Sequence, residues 1–113
     1  MFAFLMGLDT ISPDRLHELN REHRVTVFDV NSRQSFTTAR VPGALHLDPE
    51  RFTEGDLPAD REASLVFYCS NPLCRKAPNA ARRAKKMGFA QVKVMSAGIN
   101  GWLARDLPTE FGG

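Results

Sequence analysis

Apolar residues along this chain fall into short continuous runs that alternate with stretches where they recur every three or four positions. Val25 to Asp29, Leu65 to Cys69 and Val92 to Met95 are β-branched or aromatic over spans too short for a helix, the first ended by Asn31, Ser32 and the polar stretch beyond. Such runs read as strands buried on both faces. Between them lie helical signals. At Ile11 to Asn20, Ser12 can cap, Pro13 suits the first helical position, Asp14 favours the helix N-terminus, and Leu16 and Leu19 share a face. Ala80 to Met87 is rich in Ala, Arg and Lys and ends at Gly88, while Gly98 to Ala104 presents Ile99, Trp102 and Leu103.

The middle of the chain is less regular. Gln34 to Thr38 suits a helical turn, Val41-Pro42-Gly43 a turn, and Ala44 to His46 a short strand leading into a partly helical loop. Strands and helices alternate without two-residue hairpin turns, which predicts an α/β fold: a mostly parallel central sheet with helices on both faces. The apolar start, MFAFLMGL, lacks a basic flank and a small-residue cleavage site, so it reads as a first strand, a docked terminus or a dimer contact rather than a secretory signal.

Composition narrows the picture without changing it. With 113 residues, 42% hydrophobic and 25% charged, the chain is sized for one domain, residues 1–113 with a core at about 11–108. Fifteen basic against 13 acidic residues is too mild an excess to imply nucleic acid, and no apolar stretch is long enough to span a membrane. Two cysteines spaced C-x4-C provide neither a disulfide framework nor a four-ligand metal site, so reduced thiols in a cytoplasmic protein are expected.

The chemistry concentrates in YCSNPLCRKAP, residues 68–78. Ligands of open α/β sheets bind beyond the carboxyl ends of the strands, and Cys69 closes one. With Pro78 opening the next helix, residues 70–77 become a connecting loop, in which the amides of Ser70, Asn71, Leu73, Cys74, Arg75 and Lys76 can turn inward while Pro72 has none to offer. Helix N-termini and cations favour the thiolate, so Cys69 is the candidate nucleophile, the loop residues are candidate substrate ligands, and Arg75 and Lys76 attract an anion. Cys74 is the candidate resolving thiol. His17, His23 and His46 are dispersed and expected on the surface. The Arg82, Arg83, Lys85 and Lys86 cluster reads as a solvated helix face open to an acidic partner, and Trp102 as core.

Five ordered stretches, ISPDRLHEL, VTVFDVNSRQSF, ARVPGALHL, LVFYCSNPLCR and VKVMSAGINGW, resemble the rhodanese-like family of single-domain sulfurtransferases. The resemblance implies that Cys69 takes the outer sulfur of thiosulfate or a similar donor as a persulfide and passes it to cyanide or a thiol, without a metal or organic cofactor. It also implies that Asp29 braces neighbouring loops, with Arg40 as its partner. Three departures leave the donor and acceptor open: Pro72 stands where the family's loop has Gly, Asn31 where Arg follows Asp-Val, and Ala39-Arg40 where Gly-His is usual. The spacing Cys69 to Arg75 is also the C-x5-R by which phosphatases and arsenate reductases of the same fold wrap an oxyanion, and a non-catalytic binding module is the third reading.

Overall fold

The computed structural model describes residues 7–113. Five strands form one sheet: β1 (Asp9–Thr10), β2 (Thr26–Asp29), β3 (Leu45–His46), β4 (Leu65–Tyr68) and β5 (Val92–Val94), in the spatial order β1-β5-β4-β2-β3. Every neighbouring pair is parallel. β4 sits in the middle, with Phe67 opposite Phe28 on one side and Val94 on the other.

Side-chain alternation along the central strands divides the interior in two. Phe28 and Phe67 point to a layer filled by Phe52, Phe89 and the alanines of α3 (Lys76–Lys86). Ala77, Ala80, Ala81 and Ala84 are all buried there, and their small side chains let the helix lie close to the sheet. Val27, Val66 and Tyr68 face the other layer, packed by α1 (Pro13–Arg21), α2 (Arg33–Thr38) and α4 (Gly98–Ala104) through Leu16, Leu19, Phe36, Ile99 and Trp102. Both faces are covered, as the continuous apolar runs require.

The helix starts follow local chemistry. Ser12 accepts a hydrogen bond from the Arg15 amide at 3.1 Å ahead of Pro13, and Ser32 accepts one from the Ser35 amide at 3.2 Å. α3, expected to open at Pro78, instead begins at Lys76 with Arg75 as its N-cap. Proline fits this third position because first-turn amides have no intrahelical acceptor. The loop after β4 is correspondingly shorter than the expected 70–77.

Of the apolar start, residues 1–6 lie outside the described residues; Leu8 is buried and β1 follows at Asp9, two exposed residues at the sheet edge. Trp102 is fully buried and its Nε1 donates to the Pro108 carbonyl at 2.8 Å, so it belongs to the core. Two of the histidines are not simply solvated: His17 meets Trp102 edge-on, and His46 packs against Phe36 while its Nε2 donates to the Asn31 carbonyl at 2.7 Å. Arg83 also leaves the expected solvated cluster, because its guanidinium lies over the Phe52 ring and donates to the Phe52 carbonyl.

Candidate active site

Cys69 follows β4 at the carboxyl edge of the sheet and is 3% exposed. The chain is held there from the helix after β5: the first amides of α4 turn toward it, Ile99 N donating to the Cys69 carbonyl at 2.9 Å and Asn100 N to the Ser70 carbonyl at 3.0 Å. This approach needs a glycine. At Gly98, where φ is +69°, a Cβ would lie 2.4 Å from the Ser70 carbonyl, well inside contact distance. The hydroxyl of Ser70 donates to Asn31 Oδ1 at 2.8 Å, so the segments that follow β2 and β5 both grip the same residue.

Beyond Ser70 the loop folds on Asn71. Its side-chain oxygen accepts from the Leu73 amide at 2.9 Å and its carbonyl from the Cys74 amide at 3.1 Å. These bonds make a tight turn that returns Cys74 to Cys69, with Cα atoms 6.4 Å apart and the two sulfurs joined as a disulfide. Asn71, Pro72 and Leu73 form the exposed tip, Leu73 being 77% exposed, and Arg75 and Lys76 are exposed beside it.

The arrangement differs from an open bowl of amides around a thiolate. The Leu73 and Cys74 amides serve the Asn71 turn, and the sulfur of Cys69 is bonded rather than ionised. A side chain that accepts from its own loop outcompetes an unoccupied cradle for the nearby amides. Ser70, Asn71, Leu73, Cys74, Arg75 and Lys76 are thus brought together with Cys69 as one loop, but in a closed, oxidised form.

The neighbouring strand end is fully buried. Asp29 accepts from the Tyr68 hydroxyl at 2.6 Å and from the Asn31 amide at 2.8 Å, and Tyr68 Oη accepts from the Val41 amide at 3.1 Å. Burial pushes the Asp29 carboxyl above its usual value, against the opposing pull of the Tyr68 and Asn31 hydrogen bonds. Burial, then the Asp29 charge, pushes the Tyr68 phenol upward. The expected Asp29–Arg40 partnership does not form. Arg40 turns instead to the carbonyls of Phe36 and Gly112, at 3.1 and 2.7 Å, and to Glu110 at 3.8 Å, where the C-terminal segment crosses it. Asp29 braces loops through a tyrosine.

Three residues of this edge escaped the sequence reading as site residues: Asn31, Tyr68 and Gly98. Asn31 is 5% exposed and its Nδ2 has no hydrogen-bond partner among the described residues, leaving one buried donor unused beside Ser70. The signal was an amide side chain two positions beyond a buried strand-end Asp. Asn31 and Lys76 also line an open recess of about 290 Å³ with Arg33, His46, Asp48 and Glu50. Among the described residues no three His, Cys, Asp or Glu side chains converge in a metal-binding group, and no helix is long and apolar enough to cross a membrane.

The model of the rhodanese-like domain matches residues 12–105. The chain belongs to this family. Its relatives include a thiosulfate sulfurtransferase, GlpE, of Haemophilus influenzae, 24% identical over 93% of this chain and 97% of that protein. An HTH-type transcriptional regulator, Rv0324, of Mycobacterium tuberculosis is 28% identical over 92% of this chain, which spans only 46% of the regulator's length. Among solved structures, the BH2092 protein of Bacillus halodurans superposes with a TM-score of 0.83 at 22% identity, covering 91% of this chain and 77% of that one, a likeness of fold. The rhodanese-like domain therefore occurs both as a nearly whole protein and as a part of larger ones.

Proposed function

We propose that this rhodanese-like domain is a sulfurtransferase whose carrier is Cys69. In the reduced protein the Cys69 thiolate attacks the outer sulfur of thiosulfate or a similar anionic donor. The donor's S–S bond breaks, sulfite leaves with the electron pair, and a persulfide forms on Cys69. A thiolate or cyanide then attacks the outer sulfur, and the Cys69 thiolate departs unchanged.

The observation that carries this reading is the placement of Cys69 at the carboxyl end of the central strand, with its own carbonyl and that of Ser70 held by the α4 amides. Those two bonds do not involve sulfur, so they remain when the disulfide is reduced and keep the thiol in register with its loop. Arg75 and Lys76, exposed beside the loop, supply positive charge for an anionic donor. Opening of the loop exposes the sulfur.

The test is direct. Protein carrying Cys74→Ser, so that no internal disulfide can form, reduced and freed of reductant and then mixed with thiosulfate, should gain the mass of one sulfur atom on Cys69 and lose it to cyanide. Cys69→Ala should gain nothing. If no sulfane donor loads Cys69, the proposal fails; release of phosphate from an aryl phosphate, abolished by Arg75→Lys, would instead identify oxyanion chemistry, since a point charge does not replace the guanidinium fork.

A further inference from the structure

We infer that Cys74 discharges the Cys69 persulfide internally, so that the protein releases hydrosulfide from its sulfur donor and stops in the closed form until a dithiol reopens it. The inference rests on the sulfur-transfer reading above and extends it to a second activity, reductive release of sulfide.

The disulfide places the two sulfurs in bonding contact, and what brings them there is independent of it. The Asn71 side chain and carbonyl hold the Leu73 and Cys74 amides, while α4 holds Cys69 and Ser70 from below. Neither set of bonds involves sulfur, so a loop that opens to admit the donor can close again by the same bonds and bring Cys74 back to whatever Cys69 carries. An attacking group held in this way outcompetes one that must diffuse in. Cys74 is half-buried and packs on the core cluster that contains Cys69, whereas Cys69 is only 3% exposed to anything arriving from solvent.

The step balances. The Cys74 thiolate attacks the inner sulfur, Sγ of Cys69; the bond from that sulfur to the outer sulfur breaks, and the outer atom leaves as hydrosulfide with the electron pair. The outer sulfur is reduced by two electrons, and the two cysteine thiols are oxidised to the disulfide. A dithiol reductant then attacks the disulfide, forms a mixed disulfide, and closes on itself to leave Cys69 and Cys74 as thiols. In sum, thiosulfate and a dithiol become sulfite, hydrosulfide, a proton and the oxidised dithiol. While closed, Cys69 cannot accept another sulfur, so turnover requires the dithiol, and a supply of reducing equivalents sets the rate of sulfide output.

The experiment compares wild type with Cys74→Ser. Each is reduced, stripped of reductant, and given one equivalent of thiosulfate with no thiol present. Wild type should release about one hydrosulfide per chain and finish lighter than its reduced form by two hydrogen atoms, with residues 69 and 74 in one cross-linked peptide. Cys74→Ser should stop at the persulfide, one sulfur atom heavier, and release hydrosulfide at least roughly tenfold more slowly, the loss of an intramolecular attacker. Its uptake of sulfur shows at the same time that the variant is folded. In a second series with thiosulfate at one fixed, saturating concentration, the wild-type release rate per chain should not depend on protein concentration.

A wild-type protein that holds a lasting persulfide and yields no hydrosulfide overturns the inference while upholding sulfur transfer. So does equal release from Cys74→Ser, or release that scales with concentration. Failure of both proteins to take up sulfur, with no hydrosulfide released, overturns the two readings together.

Discussion

β2 and β4 run side by side in register, from Thr26 opposite Leu65 to Asp29 opposite Tyr68, and each delivers a buried polar or reactive residue to the carboxyl edge of the sheet. At the end of β2, Asp29 is met by two donors, the phenol of Tyr68 and the Asn31 amide, and that phenol in turn takes the Val41 amide. At the end of β4, Cys69 has its carbonyl held by α4, while its sulfur, packed in the core cluster, is joined to Cys74 by a bond that a reductant can break. One end is held by hydrogen bonds that solvent does not reach; the other carries an exposed tip. Bracing requires the first condition and a reactive loop the second, and the sheet sets them next to each other so that the braced end supports the loop through the Asn31–Ser70 hydrogen bond.

The comparison breaks most completely at Cys69→Ala, which, in the Cys74→Ser background that holds the persulfide, should abolish sulfur uptake as read by mass, while Asp29→Asn in the same background should retain it. Gly98→Ala comes next. Its new Cβ would push on the Ser70 carbonyl, and at a positive φ it cannot relax in place, so the loop must shift. Displacements of that size at a reacting group cost roughly a hundredfold in rate, here in persulfide formation measured in a single turnover. Retained wild-type rates would show that α4 does not position the loop.

Tyr68→Phe tests the braced end. It strips partners from the buried Asp29 carboxyl and the Val41 amide, each worth about 1–3 kcal/mol when left unsatisfied, so unfolding in urea should shift by about 3 kcal/mol at an unchanged slope. A loss under about 1 kcal/mol would mean that the network is not a brace.

The smallest effect concerns acid. Because the fold raises the Asp29 pKa above its ordinary 3.8, the folded state holds that proton more tightly than the unfolded chain does. The stabilising contribution is therefore present below 3.8 and is lost as pH rises through the folded value. Wild type should lose stability relative to Asp29→Asn as the pH rises above 3.8. A difference moving the other way would mean that the Tyr68 and Asn31 hydrogen bonds outweigh burial.

Much of the architecture was written in local pattern. Runs such as Val25 to Asp29 and Leu65 to Cys69 are apolar on both faces, which only a strand covered by helices on both sides requires, and Ser12-Pro13-Asp14 announces a helix start whatever surrounds it. The same pattern put a thiol at a strand end and cations just after it. Burial and capping are properties of a residue and its near neighbours, so one chain carries them openly. Partners distant in sequence are another matter. That Gly98 lies beneath Ser70, that Asn31 grips its hydroxyl, and that Asp29 takes Tyr68 while Arg40 goes to Glu110 all depend on which strand ends the sheet order makes adjacent. Even the Cys69–Cys74 bond, only five positions long, waited on tertiary structure: Asn71 must fold the tip inward while α4 holds its base, and spacing alone leaves the two sulfurs equally free to meet or to part.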